Sequence, residues 1–113
     1  DLFIASSDTN AFNGGAGNNT VSYAGSTAGV VANLNTTTGS TGDALGDTFV
    51  NIQNLTGTAF ADKLTGLAAG GSILIGGAGA DQLIGLGYNG NAATANTANY
   101  AGSTSGVTIN LSG

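Results

Sequence analysis

The sequence predicts an all-β chain, a parallel β-solenoid, from three observations. The tripeptides Asp43-Ala44-Leu45, Asp62-Lys63-Leu64 and Asp81-Gln82-Leu83 recur nineteen residues apart, as one element per coil would. Val30, Ala32 and Leu34 alternate with other residues, as do Val107, Ile109 and Leu111, which is strand period and not helix period. No stretch carries a convincing helical stripe, and Gly, Thr, Asn and Val are poor helix-interior residues.

Taken in order, the N-terminal strands repeat every nine residues as Asp/Asn-x-apolar: Asp1-Leu2-Phe3, Asn10-Ala11-Phe12 and Asn19-Thr20-Val21. Two nine-residue pieces make one flattened coil, so Asp1 and Asn19 are expected on one edge and Asn10 on the other. From Asp43 the coil lengthens to nineteen residues, with Ser72-Ile73-Leu74 as the half-coil piece between Asp62 and Asp81. Small residues and glycines between Leu67 and Gly71 accommodate the extra residue as a bulge. Phe49, Ile52 and Leu55 fall at every third position, but Val50, Ile52 and the flanking threonines favour a strand with a bend over a short helix.

A longer repetition overlies these. Tyr23-Ala24-Gly25-Ser26-Thr27 to Asn33-Leu34 returns as Tyr100-Ala101-Gly102-Ser103-Thr104 to Asn110-Leu111, offset by 77 residues. Residues 1–113 therefore read as a single segment of a longer 77-residue tandem array. The terminal strands at Leu2-Phe3-Ile4 and Val107 to Leu111 carry no charge or proline to block pairing. Both ends are expected to pair onward, with further repeats of the same chain or with another subunit.

Composition limits the function classes. Charged residues make up 6%, there is one basic residue, Lys63, and the net charge is −5. One lysine cannot neutralise a nucleic-acid backbone, so no nucleic-acid partner is expected. No apolar run is long enough to span a bilayer as a helix. Histidine, cysteine and glutamate are absent, so no base-activated nucleophile of the usual kinds assembles, and no enzyme is expected. Without disulfides, a bound metal is one way to hold an extracellular chain.

Gly76-Gly77-Ala78-Gly79-Ala80-Asp81-Gln82-Leu83-Ile84 fits G-G-x-G-x-D-x-U-x, and Gly14 to Ser22 fits it with Asn19 in place of the aspartate. With Gly57 to Leu64, these segments resemble haemolysin-type (RTX) calcium-binding repeats. Gly42 to Gly57 and the Tyr-Ala-Gly-Ser blocks also resemble stretches found between such repeats. The resemblance implies a right-handed parallel β-roll, type I secretion from a Gram-negative bacterium and folding triggered by external Ca2+. It assigns the sixth-position carboxylates to Asp62 and Asp81, with loop carbonyls at Gly57, Ala59, Gly76 and Ala78. Asp43 and Asp47 compete for one further ligand position. Asn10, Asn19 and Ser72 stand where other copies carry carboxylates, so few ions are expected. Two aspartates stacked one coil apart repel unless a cation lies between them.

The leading functional expectation is a calcium-stabilised structural module of a secreted or surface-displayed bacterial protein: an S-layer, adhesin stalk or filament. The alternative is the C-terminal secretion and folding module of a larger toxin, protease or lipase. Attachment to a cell surface would fall to other domains. Ice or carbohydrate binding by Thr36, Thr37, Thr38 and Thr41 is a weaker third idea, because these residues cluster in one loop-like stretch. An immunoglobulin-like sandwich is the structural alternative.

Overall fold

The computed structural model describes residues 1–67, 69–85, 97–99 and 108–110. Its strands, nearly all three residues long, are β1 (Leu2–Ile4), β2 (Ala11–Asn13), β3 (Thr20–Ser22), β4 (Val31–Asn33), β5 (Thr38–Thr41), β6 (Thr48–Val50), β7 (Asn54–Thr56), β8 (Lys63–Thr65), β9 (Ile73–Ile75), β10 (Gln82–Ile84), β11 (Thr97–Asn99) and β12 (Thr108–Asn110). Helix is confined to a single 3-10 turn, Gly42–Ala44, among the described residues. Because side chains alternate across a strand, only the middle residue of each triplet faces inward.

Two sheets form. The first has the order β1-β3-β7-β9-β11 and is parallel throughout. The second has the order β12-β10-β8-β4-β5-β6-β2, and in it β5 runs antiparallel to both β4 and β6. Middle residues of the triplets meet between the sheets: Val21, Leu55 and Leu74 from the first, and Phe12, Phe49, Ala32, Leu64 and Leu83 from the second. Phe12 stacks on Phe49 at 6.0 Å between ring centroids, and Phe3 tilts against Phe12 at 5.8 Å.

This architecture corrects the expectation of a right-handed parallel β-solenoid. The chain makes one parallel and one mixed sheet, and the antiparallel strand β5 breaks the regular succession. The cause is local. Asn33 accepts the amides of Asn35 (2.8 Å) and Thr36 (3.1 Å) on its side-chain oxygen, reversing the chain just after β4. Thr37 completes the reversal at φ 61°, a conformation uncommon for a β-branched residue. The threonine stretch then returns as β5, whose inward position is Gly39, where a side chain would collide with Ala44. β6 consequently lands beside β2, and β4 beside β8.

The shorter spacings map onto direct pairings. Leu2 pairs with Thr20 eighteen residues later in the first sheet, whereas β2 lies in the second. Lys63 pairs with Gln82 at nineteen. Phe49 to Leu55 forms β6, a bend at Asn51 (φ 55°), and β7. Tyr100 to Val107, in the second copy of the long repeat, lies outside the described residues.

Candidate functional site: the aspartate turns

Three nonapeptide turns share one construction. The sixth-position side chain folds back beneath the first glycine: Asn19 under Gly14, Asp62 under Gly57, and Asp81 under Gly76. A methyl group on any of these glycines would collide with the side chain beneath it. All three sixth-position residues are buried.

The turns differ in what they offer that side chain. In the first and third, positions two and four are glycines with positive φ: Gly15 and Gly17, then Gly77 and Gly79. There Asn19 donates its amide to the Gly17 carbonyl (3.3 Å) and to the Asn51 carbonyl (2.9 Å). The first turn thus presents one acceptor of its own inward, the Gly17 carbonyl, and the bend at Asn51 supplies the other. In the second turn the same positions hold Thr58 and Phe60, neither of which adopts positive φ. Thr58 instead aims donors inward: its amide gives a 2.7 Å bond to Asp62 Oδ2 and its hydroxyl a 2.9 Å bond to Oδ1. The Val30 amide adds a third bond at 2.8 Å. Asp62 is therefore a satisfied carboxylate.

Asp81 is not. It sits in a glycine-type turn like Asn19 but has no proton to donate as a carboxylate. Its Oδ1 accepts the Asp62 amide at 3.0 Å, and its Oδ2 is buried with no hydrogen-bond partner. Burial raises its pKa from 3.8 to about 6; the Asp62 amide opposes the rise, and the Asp62 carboxylate adds to it. An uncompensated buried carboxylate oxygen is costly. A proton or a cation removes that cost. Asp62 and Asp81 are among the residues that line a groove of about 510 Å³, with Val31, Lys63, Gln82 and Thr108.

Asp81 offers one orphaned carboxylate oxygen, where a calcium ion takes six to eight oxygens. Asp62 does not offer a second free carboxylate, because its oxygens already accept three donors. The sequence motif alone places an ion between the two aspartates and does not distinguish them. The signal that separates them was present in the sequence: Thr58 stands where Gly77 stands nineteen residues later.

Asp43 and Asp47 serve a different place. Residue 30, and not Asp43, occupies the turn position next to Asp62, because β4 is the strand that pairs with β8. Asp43 lies in the 3-10 turn, where the Ser26 hydroxyl donates to it at 2.7 Å. Asp47 is fully buried: Oδ1 accepts the Asn10 amide at 2.6 Å and Oδ2 the Tyr23 hydroxyl at 2.7 Å. Burial and then the Asp47 hydrogen bond drive the Tyr23 pKa far above its ordinary value. This pair is a core lock. Among the described residues no group of three or more His, Cys, Asp or Glu side chains converges on a metal position. Ala59 and Ala78 lie in the second and third turns, exposed and half-buried respectively.

Tyr23→Phe is expected to lower the unfolding free energy by about 1.5–3 kcal/mol, the usual worth of a hydrogen bond to a charged group. Urea denaturation measures it, and an unchanged midpoint would show that the lock contributes nothing.

Comparison with protein-family models, with curated proteins and with solved structures finds no match. No helix among the described residues is long and apolar enough to cross a membrane.

Proposed function

We propose that this chain is a structural module of an extracellular bacterial protein, stiffened by calcium bound at the Asp81 turn. The observation that carries the reading is the buried, unpartnered Asp81 Oδ2 in a turn whose asparagine counterpart satisfies itself by donating to a carbonyl. Asp81 would hold the ion, together with carbonyls of the Gly76–Gly79 loop. One site, and not a column, is the expectation, since Asp62 and Asn19 are satisfied by protein donors and acceptors.

The mechanical consequence follows from position. The Asp81 turn leads directly into β10, and Asp81 Oδ1 holds the amide of Asp62, which precedes β8. Binding there ties two neighbouring strands of the mixed sheet through their turns. Because metal affinity for the folded state adds to folding free energy, saturating calcium raises stability in proportion to the logarithm of its concentration. At one hundred times the dissociation constant the gain is about 2.7 kcal/mol.

The test is calorimetric titration of chelator-stripped protein, with melting followed in parallel. The expected result is a single saturable heat and a rising melting temperature, with magnesium weaker because it dehydrates reluctantly and demands strict octahedral geometry. No heat and an unchanged melting temperature would remove calcium from the account.

A further inference from the structure

β1 and β2 meet at one end of the two-sheet stack. β1 is an outer strand of the parallel sheet and β2 of the mixed sheet, and the Phe3 and Phe12 rings touch between them at 5.8 Å. Residues 1–22 are all described, and the surface they form at this end is open. Leu2 is 64% and Ile4 68% exposed, Ala11 and Asn13 are exposed, and Phe3 is half-covered.

The bonds to the inner neighbours show which backbone groups remain. Asp1 accepts the Thr20 amide (2.8 Å) and Ala5 donates to the Ser22 carbonyl (2.9 Å), so Asp1, Phe3 and Ala5 are turned toward β3. The backbone groups of successive strand residues point to opposite sides, so those of Leu2 and Ile4 point away from β3. β2 is built alike. Asn10 accepts the Thr48 amide (3.0 Å) and Gly14 donates to the Val50 carbonyl (2.9 Å), which leaves Ala11 and Asn13 turned to the open side. Among the described residues no strand lies on either open side.

These groups are self-complementary. In an antiparallel pair, hydrogen-bonded and non-hydrogen-bonded residue pairs alternate. With β1 against β1 of a second copy and Phe3 opposite Phe3, Leu2 and Ile4 exchange both bonds on each side of the centre. With β2 against β2 and Phe12 opposite Phe12, Ala11 and Asn13 do the same. Phe3 and Phe12 meet between the sheets, so one two-fold axis perpendicular to the sheets serves both pairings. Rotation about that axis keeps inward side chains inward. The Phe3 rings of the two copies then cover each other and extend the Phe12–Phe49 stack. Asp1 falls opposite Ala5 and Asn10 opposite Gly14, so no acidic residue meets another across the contact. A strand added in parallel would need a second, different surface, whereas two-fold pairing uses one surface twice.

We propose that this end is the interface of a symmetric dimer, in which β1 and β2 of one copy pair antiparallel with β1 and β2 of the other and join each sheet to its counterpart. The contact closes on itself, so assembly stops at two copies. Two three-residue ladders and four rings make a small interface, so the dimer is weak and forms at high protein concentration. The net charge of −5 on each copy opposes it, and salt screens that repulsion. Asp81 takes no part in the contact, so the dimer is independent of the cation reading.

The sequence contains no cysteine, so introduced pairs report the register directly. Leu2 and Ile4 both face outward, and hydrogen-bonded antiparallel partners lie about 5.5 Å apart between Cα atoms, within disulfide reach. Leu2→Cys and Ile4→Cys are prepared separately in the 113-residue chain and oxidised in chelator at moderate salt. The mixture should give a disulfide-linked dimer that neither variant gives alone, because identical positions lie diagonally across the two-fold axis. Both side chains are exposed, so neither variant depends on the interior for its fold. Sedimentation of the unsubstituted chain should show monomer and dimer only, with the dimer fraction rising with concentration. A linked dimer from either variant alone at the level of the mixture would show a different contact and overturn the proposal. Monomer at every concentration would overturn it as well. Species growing past the dimer would show open-ended addition of parallel strands and would equally defeat it.

Discussion

Leu64→Ala is expected to cost about 2–5 kcal/mol, a large part of the roughly 5–15 kcal/mol that holds a domain of this size together. Leu64 is fully buried at the centre of β8, between Ala32 of β4 and Leu83 of β10. Ala32 cannot expand to fill a gap, and the strands are pinned by their ladders, so the cavity stays open. Three-residue strands make the loss sharper: each contributes only one inward side chain, and no second residue of β8 can take over. Leu2→Ala is the control, since Leu2 is 64% exposed on an outer strand and the same substitution should change stability little. Urea denaturation of both variants checks this. Equal midpoints would mean that the interior between the sheets does not hold the fold.

Much of the pairing was legible because the repeats are short and the inward residue is always the middle one. Spacings of eighteen and nineteen residues translate directly into Leu2–Thr20 and Lys63–Gln82 partners. The topology of the mixed sheet was not legible. Residues 34–47 lack apolar alternation, and their reversal rests on an Asn33 side chain capping two amides and on Thr37 at positive φ. Asparagine in an asparagine- and threonine-rich chain gives little signal, and a turn that places threonine where glycine is favoured conceals itself. The nineteen-residue spacing of Asp43 was therefore misleading: β5 lies between, and Val30 takes the place beside Asp62.

The candidate site was legible by position and not by state. Asp62 and Asp81 carry the same motif, yet one is closed by Thr58 and the other left open by Gly77. Asp47 had the same sequence credentials as a ligand and is instead the acceptor for a buried tyrosine. Both aspartates fold beneath their first glycine, and what differs is the residue four positions earlier: Thr58 donates to Asp62, whereas Gly77 at φ 81° leaves Asp81 Oδ2 without a donor. That is a property of the turn and not of the carboxylate.

Asp81→Asn is expected to stabilise the chain at neutral pH in the presence of chelator and to abolish its response to calcium. The amide has a donor for a carbonyl-presenting turn, as Asn19 shows with the Gly17 and Asn51 carbonyls. The carboxylate has none once it is ionised. The sign follows from the raised pKa. A carboxyl that titrates at 3.8 unfolded and at about 6 folded favours the folded state only while protonated. Its contribution is complete below pH 3.8 and is lost as the pH rises through about 6. Discounted for water reaching the open groove, the loss is on the order of 2 kcal/mol. The difference between the two proteins should therefore be small near pH 3.8, open between there and about 6, and stay constant above. Calcium then closes the gap from the wild-type side alone, because binding needs the ionised carboxylate. Melting temperatures of both proteins across this pH range, with chelator and with calcium, provide the measurement. An asparagine variant less stable than wild type at neutral pH in chelator would show that Asp81 Oδ2 has a protein partner, and the case for a cation at that turn would fall with it.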